Sequence, residues 1–197
     1  MGKIFCLMGM TASGKDTVYK MLLKSNELKL KKIVPYTTRP VRENEENGVQ
    51  YFFTDEDGFN RLVAEGRVIE ARAYNTVHGL WRYFTVEDHQ IDLSINNYII
   101  IGTPEAYVKL RDYFGNDVVI PIYIELDDGI RLQRALDREK SQSSPKYAEM
   151  CRRYLADLQD FSEENLNHAG VVNRFANDDL DICVNEIRNF IGEIIRK

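Results

Sequence analysis

Residues 9–16 read Gly-Met-Thr-Ala-Ser-Gly-Lys-Asp, directly behind the apolar run Ile4-Phe5-Cys6-Leu7-Met8. This is the spacing Gly-x-x-x-x-Gly-Lys, a P-loop, placed where a buried strand turns into a helix. Backbone N–H groups of a Gly-rich turn and of a new helix N-terminus converge on one point, and that point attracts phosphate. Gly9, Thr11, Ala12, Ser13, Gly14, Lys15, Asp16 and Thr17 form the candidate cradle, with Lys15 adding a mobile positive charge for the outer phosphates. The residue after the lysine is usually a Ser or Thr that holds Mg²⁺. Here it is Asp16, followed by Thr17. Asp16 could hold Mg²⁺ through water, Thr17 could supply the oxygen instead, or Asp16 could simply favour the helix N-terminus.

A second group of residues suits phosphate binding. The stretch Tyr36-Thr37-Thr38-Arg39-Pro40-Val41-Arg42 sets two guanidinium groups three residues apart in a Pro-broken loop, and Asn47-Gly48-Val49-Gln50-Tyr51 adds a turn and a phenol. Arginine suits bidentate phosphate contacts. Arg39, Arg42 and Tyr51 could clamp one monophosphate, or the same charges could sit on a solvated loop. Further on, Arg134 and Arg138 are four apart on a helical stretch and share a side of it. They could face a ligand, or pair with Asp137, Glu139 or Asp157.

The elements that must position these groups alternate. Apolar runs at residues 4–8, 98–101 and 118–124 are continuous, which suits strands buried on both faces of a parallel sheet. The spacing predicts helices over 16–25, 56–65, 86–95, 104–114, 129–138, 147–165 and 180–196. Thr54 before Asp55-Glu56-Asp57 reads as an N-cap, and Pro104 suits a first helical turn. Residues 35–85, rich in charge, Tyr and Phe, carry strand-like pieces at 51–54 and 68–74 and a turn near His78-Gly79. They read as an inserted α+β subdomain. The polar stretch Glu139-Lys-Ser-Gln-Ser-Ser-Pro-Lys146 sits between two helices, where a lid could lie.

Composition narrows the function classes. The chain has 197 residues, 44% hydrophobic and 29% charged, which suits one globular domain. A net charge of −5 argues against sequence-independent nucleic-acid binding. Cys6, Cys151 and Cys183 are odd in number and show no metal or disulfide spacing, which suits a reducing compartment. No signal-peptide pattern or membrane-length apolar run is present, so the expectation is a cytoplasmic protein without a membrane partner.

Several motifs in order resemble the guanylate kinase family. The family's monophosphate loop, Ser-Ser-Thr-Thr-Arg-x-x-Arg followed by Asn-Gly-x-x-Tyr-x-Phe, is similar to residues 35–42 and to Asn47-Gly48-Val49-Gln50-Tyr51-Phe52-Phe53. Val68-Ile69-Glu70 resembles the family's Phe-Ile-Glu, and Asn177-Asp178-Asp179-Leu180-Asp181 resembles a C-terminal motif. With the P-loop and the Arg-rich lid, the resemblance covers nearly the whole chain. It implies a P-loop NTPase α/β fold: a single domain with a mainly parallel sheet flanked by helices (core 1–34, 86–138 and 166–197), a monophosphate-binding insert (35–85) and a lid region (139–165). It implies phosphoryl transfer from Mg²⁺-bound ATP to GMP by a monomer or homodimer. On that resemblance Lys15, Arg134, Arg138 and Arg153 are catalytic, with Arg153 favoured over Arg152. The GMP-binding residues are Arg39, Arg42, Tyr51, Glu70, His78, Gly79 and Thr103. Glu70 would accept guanine N1–H and the 2-amino group, a donor pair that adenine lacks.

The chain departs from the family pattern in places besides Asp16. Ile101-Gly102-Thr103 stands where the family has Asp-x-Asp, Pro35 stands for a serine, and residues 76–80 lack Tyr-Gly-Thr/Ser, where His78 or Tyr74 could stand in. These departures leave phosphate handling intact and thin out base recognition. They keep two alternatives open: a kinase of this fold for another acceptor, such as a ribose phosphate, and a non-catalytic guanylate-kinase-like interaction module. Lys15→Ala is expected to abolish phosphoryl transfer in an ADP-release assay while shifting the urea unfolding free energy by no more than about 0.5 kcal/mol, because a phosphate-binding lysine is not core.

Overall fold

All six residues of β1 (Ile4–Gly9) are buried, which requires cover on both faces of the sheet that contains it. A computed structural model describes residues 1–42, 45–76 and 79–196. After β1 come α1 (Lys15–Leu23), β2 (Lys31–Lys32), β3 (Tyr36–Thr37), β4 (Phe52–Phe53), α2 (Glu56–Ala64), β5 (Val68–Thr76) and β6 (Gly79–Val86). The chain continues with β7 (Tyr98–Ile101), α3 (Pro104–Phe114), β8 (Val119–Glu125) and α4 (Asp128–Lys140). It closes with α5 (Tyr147–Asp160), α6 (Glu163–Ala169), β9 (Arg174–Ala176) and α7 (Leu180–Ile195).

Five strands in the order β2-β7-β1-β8-β9 form a wholly parallel sheet with β1 at its centre. Alternate residues of β1 point to opposite faces. Ile4, Cys6 and Met8 pack with Tyr107 and Leu110 of α3 and Leu166 of α6. Phe5 and Leu7 pack with Val18 and Leu22 of α1 and Val184, Ile187 and Ile191 of α7. The result is a three-layer α/β sandwich. The insert forms its own four-stranded sheet, β4-β3-β6-β5, over a small core of Phe59, Phe84 and Val86.

The structure corrects three expected elements. No helix forms over residues 86–95; Val86 ends β6 and a polar loop follows. Its side chains bind backbone instead, which competes with helix. Gln90 accepts from the Val34 amide at 2.7 Å and donates to the Val34 carbonyl at 3.1 Å, while Asp88 accepts from the Tyr36 hydroxyl at 2.8 Å. This loop therefore ties the insert to the main sheet. The helix expected over 147–165 breaks at Phe161, which is buried against Tyr123, and Ser162 caps α6 by accepting from the Asn165 amide. Asp55, not Thr54, caps α2, accepting from the Gly58 amide at 2.8 Å. β2, β3 and β9 have two or three residues each, too short for a periodic signal. Leu7→Ala should cost about 3 kcal/mol of stability in urea denaturation, because Leu7 is fully buried at the centre of the sheet and its removal leaves a cavity between two layers.

Candidate active site

β1 ends at Gly9 and α1 starts at Lys15, so residues 10–14 must turn strand into helix. Ala12 takes φ 63° and Gly14 φ 90°. A Cβ on Gly14 would lie 2.2 Å from Nδ2 of Asn177, so the position needs glycine. Asn177 is buried, and that Nδ2 donates to the Ser13 carbonyl at 2.6 Å. Gly14 caps α1 without a side-chain acceptor. The amides of Gly14, Lys15 and Asp16 consequently find no acceptor among the described residues. The Ser13 hydroxyl is also buried and unpaired. Lys15 Nζ lies 3.8 Å from the Asp16 carboxylate, whose side chain is 65% exposed, and Thr17 is exposed beside it. A row of open amides with one lysine is an anion cradle.

Two residues that sequence reasoning did not flag as site residues brace this turn. The Thr11 amide donates to the Asp157 carboxylate of α5. The Thr11 carbonyl accepts from Nη1 of Arg131 at 3.2 Å. The Arg131 side chain is fully buried, paired with Asp128 and set over the Tyr154 ring at 4.8 Å. Arg131 lies three residues before Arg134, so it could have been added to the lid arginines by spacing. No local signal pairs Asp157 with Thr11 across the fold.

On the insert, Arg39 is 3% exposed and forms a two-pronged pair with Glu45, at 2.7 Å from Nη1 and 2.6 Å from Nη2. Burial works against its charge, yet Glu45 and neighbouring phenols hold its pKa above the usual guanidinium value. Arg39 Nε has no partner among the described residues. Glu45 also accepts from the Arg42 amide at 3.0 Å, while the Arg42 side chain is exposed. The Arg39 guanidinium stands 5.0 Å from the centre of the Tyr51 ring. Burial, then the Tyr83 phenol, raises the Tyr51 pKa, and Asp16 of the P-loop adds to the rise. Burial and Tyr51 likewise push Tyr19 of α1 to about 12.

The remaining expected residues divide. Glu70 is buried: one carboxylate oxygen accepts from the Thr85 hydroxyl at 2.9 Å and the other from Arg72 Nε at 3.2 Å. Thr103 caps α3, and its hydroxyl also accepts from Arg72 Nη1 at 3.3 Å. Arg72, two residues after Glu70 on the same strand face, was legible by period and not singled out. Gly79 is not brought to this group. It is exposed opposite Thr76 at the hairpin end of β5 and β6, whereas Glu70 pairs with Thr85 near the other end. His78 lies outside the described residues. Arg134 and Arg138 are exposed on α4 with no side-chain partner among the described residues, so the alternative in which they pair with Asp137, Glu139 or Asp157 does not form. Arg153 is held by Glu149 at 3.6 Å, which also takes Arg152 at 2.8 Å. The stretch expected to be flexible is anchored, because buried Glu139 accepts from the Lys146 amide.

Two hollows flank the cluster. One of about 450 Å³ lies against Thr38, Arg39, Phe53 and Arg61, and one of about 310 Å³ lies against Thr103, Glu105, Lys109, Asp160 and His168. Among the described residues no three acidic, His or Cys side chains gather as a metal site, and no helix is long and apolar enough to cross a membrane.

A parallel sheet that feeds an open-amide turn, together with an arginine-bearing insert, defines a P-loop phosphotransferase. A sequence model of the guanylate kinase family matches residues 1–194. The chain belongs to that family. The guanylate kinase of Mycoplasma mobile is 29% identical over 200 residues, covering 100% of this chain and 95% of that protein. The Porphyromonas gingivalis guanylate kinase is 27% identical, covering 100% of both. A crystal structure of guanylate kinase from Anaplasma phagocytophilum has a TM-score of 0.66 at 20% identity, over 99% of this chain and 85% of that one, which supports the fold.

The Arg39 hydrogen bonds hold the Glu45 carboxyl below its ordinary pKa. Its contribution is therefore full above the unfolded value of about 4.3 and is lost as pH falls through the folded value. Glu45→Gln should lower stability by about 1–3 kcal/mol at pH 7. The gap to wild type should close as urea denaturation is repeated from pH 7 down to pH 3.

Proposed function

We propose that the chain transfers the γ-phosphoryl group of ATP to GMP, giving ADP and GDP. The observation that carries this reading is the open-amide turn at the start of α1 with Lys15, in a chain whose family match spans residues 1–194; the insert adds the Arg39–Tyr51 group. Lys15 and the amides of residues 14–16 hold the outer phosphates of ATP. Arg39, Arg42 and Tyr51 hold the phosphate of GMP, and Glu70 meets its base. The second pKa of a phosphate monoester is about 6, so the acceptor is largely dianionic at neutral pH and needs no general base. The protein's work is positioning and charge stabilisation. Arg134, Arg138 and Arg153 on the α4–α5 lid supply positive charge around the moving phosphoryl group. Entry of ATP competes with Asp157 for the Thr11 amide, so the α5 arm shifts as the site fills.

The exposed Asp16 carboxylate and Thr17 hydroxyl fit Mg²⁺, which uses one or two protein oxygens together with substrate phosphates. When bound, the ion neutralises phosphate charge. The free thiols Cys6, Cys151 and Cys183 favour a reducing, cytoplasmic setting.

A second reading rests on Glu70. Both its oxygens already have partners, and β7 ends in Ile101-Gly102-Thr103 without a carboxylate. A kinase of the same fold for another phosphorylated acceptor, such as a ribose phosphate, would fit that arrangement. Coupled ADP release across GMP, AMP, UMP, CMP and a ribose phosphate separates the two. The expected kcat/KM for GMP exceeds the others by about a hundredfold or more. Absence of GMP turnover would sink the first reading, and faster turnover of the sugar phosphate would establish the second.

A further inference from the structure

Arg72 is a largely buried charged group that the phosphate chemistry leaves unused. It sits two residues after Glu70 on β5, so both side chains leave the same face of the strand. Its side chain is 10% exposed. Nε donates to Glu70 at 3.2 Å and Nη1 to the Thr103 hydroxyl at 3.3 Å. Nη2 finds no acceptor among the described residues. A guanidinium carries five donors and cannot shed its charge, and Nη2, which is not among the buried unpaired atoms, is a spare donor open to an incoming acceptor. Burial opposes the charge, but Glu70 and the phenols of Tyr74 and Tyr51 more than compensate. Tyr51 is also the phenol beside Arg39, so Arg39 and Arg72 share one electrostatic neighbour.

Resting on the GMP reading above, we propose that Arg72 is the residue that selects the acceptor base, donating through Nη2 to O6 of guanine beside Glu70. Nη2 shares the Nε–H edge of the guanidinium, so it presents a donor next to the Glu70 carboxylate. Guanine presents the complement: the O6 acceptor adjoins the N1–H donor. Each Glu70 oxygen keeps a lone pair beyond its present bond, which leaves room for N1–H. Adenine reverses both atoms, turning an amine toward the cation and a bare ring nitrogen toward the carboxylate, so the pair rejects it at two points. The Glu70–Arg72 contact is then half of a base-reading unit and no obstacle to guanine. It also supplies a base contact where the end of β7 has no carboxylate, with Thr103 fixing the far side of the guanidinium.

The test compares kcat/KM for GMP with that for 6-thio-GMP, in which sulfur, a weak acceptor, replaces O6. Wild type with Mg·ATP should favour GMP by about tenfold or more, the size of a hydrogen bond to a charged group. Arg72→Met should lose about tenfold on GMP and little on 6-thio-GMP, so the ratio contracts to about twofold. A purely structural role would lower both rates together and leave the ratio intact, and that result overturns the proposal. If Arg72→Met does not fold, Arg72→Lys carries the same comparison, since a lysine can hold Glu70 but cannot also reach O6 in a fork. Equal wild-type rates on the two nucleotides would equally overturn it. No wild-type turnover of GMP would defeat the acceptor reading and this inference with it. GMP turnover with an unchanged ratio defeats only the role of Arg72.

Discussion

Three amides at the start of α1, those of Gly14, Lys15 and Asp16, find no partner among the described residues, and neither does the buried hydroxyl of neighbouring Ser13. Unsatisfied polar groups are costly, so the turn must be held open by everything around it. β1 delivers it from the centre of the sheet. Asn177, at the end of β9, fixes the Ser13 carbonyl and fills the space that only a glycine at 14 leaves. Arg131 fixes the Thr11 carbonyl from α4, and Asp157 takes the Thr11 amide from α5. Each brace arrives from a different part of the chain, and the C-terminal strand and both lid helices converge on five residues. The cradle gains its affinity for a polyanion from the same open donors that make it expensive to build.

The acceptor side follows the same logic. The chain is acidic overall, yet the P-loop and the insert carry Lys15, Arg39, Arg42 and Arg72. Such a gathering of positive charge needs carboxylates to hold it while no substrate is present. Glu45 holds Arg39, Glu70 holds Arg72, and Glu149 holds Arg152 and Arg153. Among the described residues Nε of Arg39 and Nη2 of Arg72 have no acceptor, and Arg134 and Arg138 have no carboxylate partner.

Much of the fold was legible because its signals are local. The continuous apolar runs located β1, β7 and β8, and Pro104 placed the start of α3 at the residue where it begins. The errors have physical causes. Residues 86–95 have helical spacing, but Asp88 and Gln90 bond to the insert and to the backbone of Val34, and that long-range exchange outcompetes helix. Phe161 reads as helix interior, yet it must turn in to stack on Tyr123. Strands of two or three residues exist only because a neighbour pairs with them.

By itself the sequence determined the strand-to-helix turn with its glycines and lysine and the apolar runs that build the sheet, because glycine conformations and apolar periodicity are encoded within a few positions. Tertiary structure decided which charges meet. Asp157 reaches Thr11, Asn177 reaches Ser13 and Arg72 reaches Thr103 across 146, 164 and 31 residues. Pairings at that separation follow from how layers pack, not from spacing along the chain. The meaning of Glu70 changed for the same reason: a lone strand glutamate in the sequence becomes, once β5 lies beside β6 and the start of α3, one half of an Arg–Glu pair.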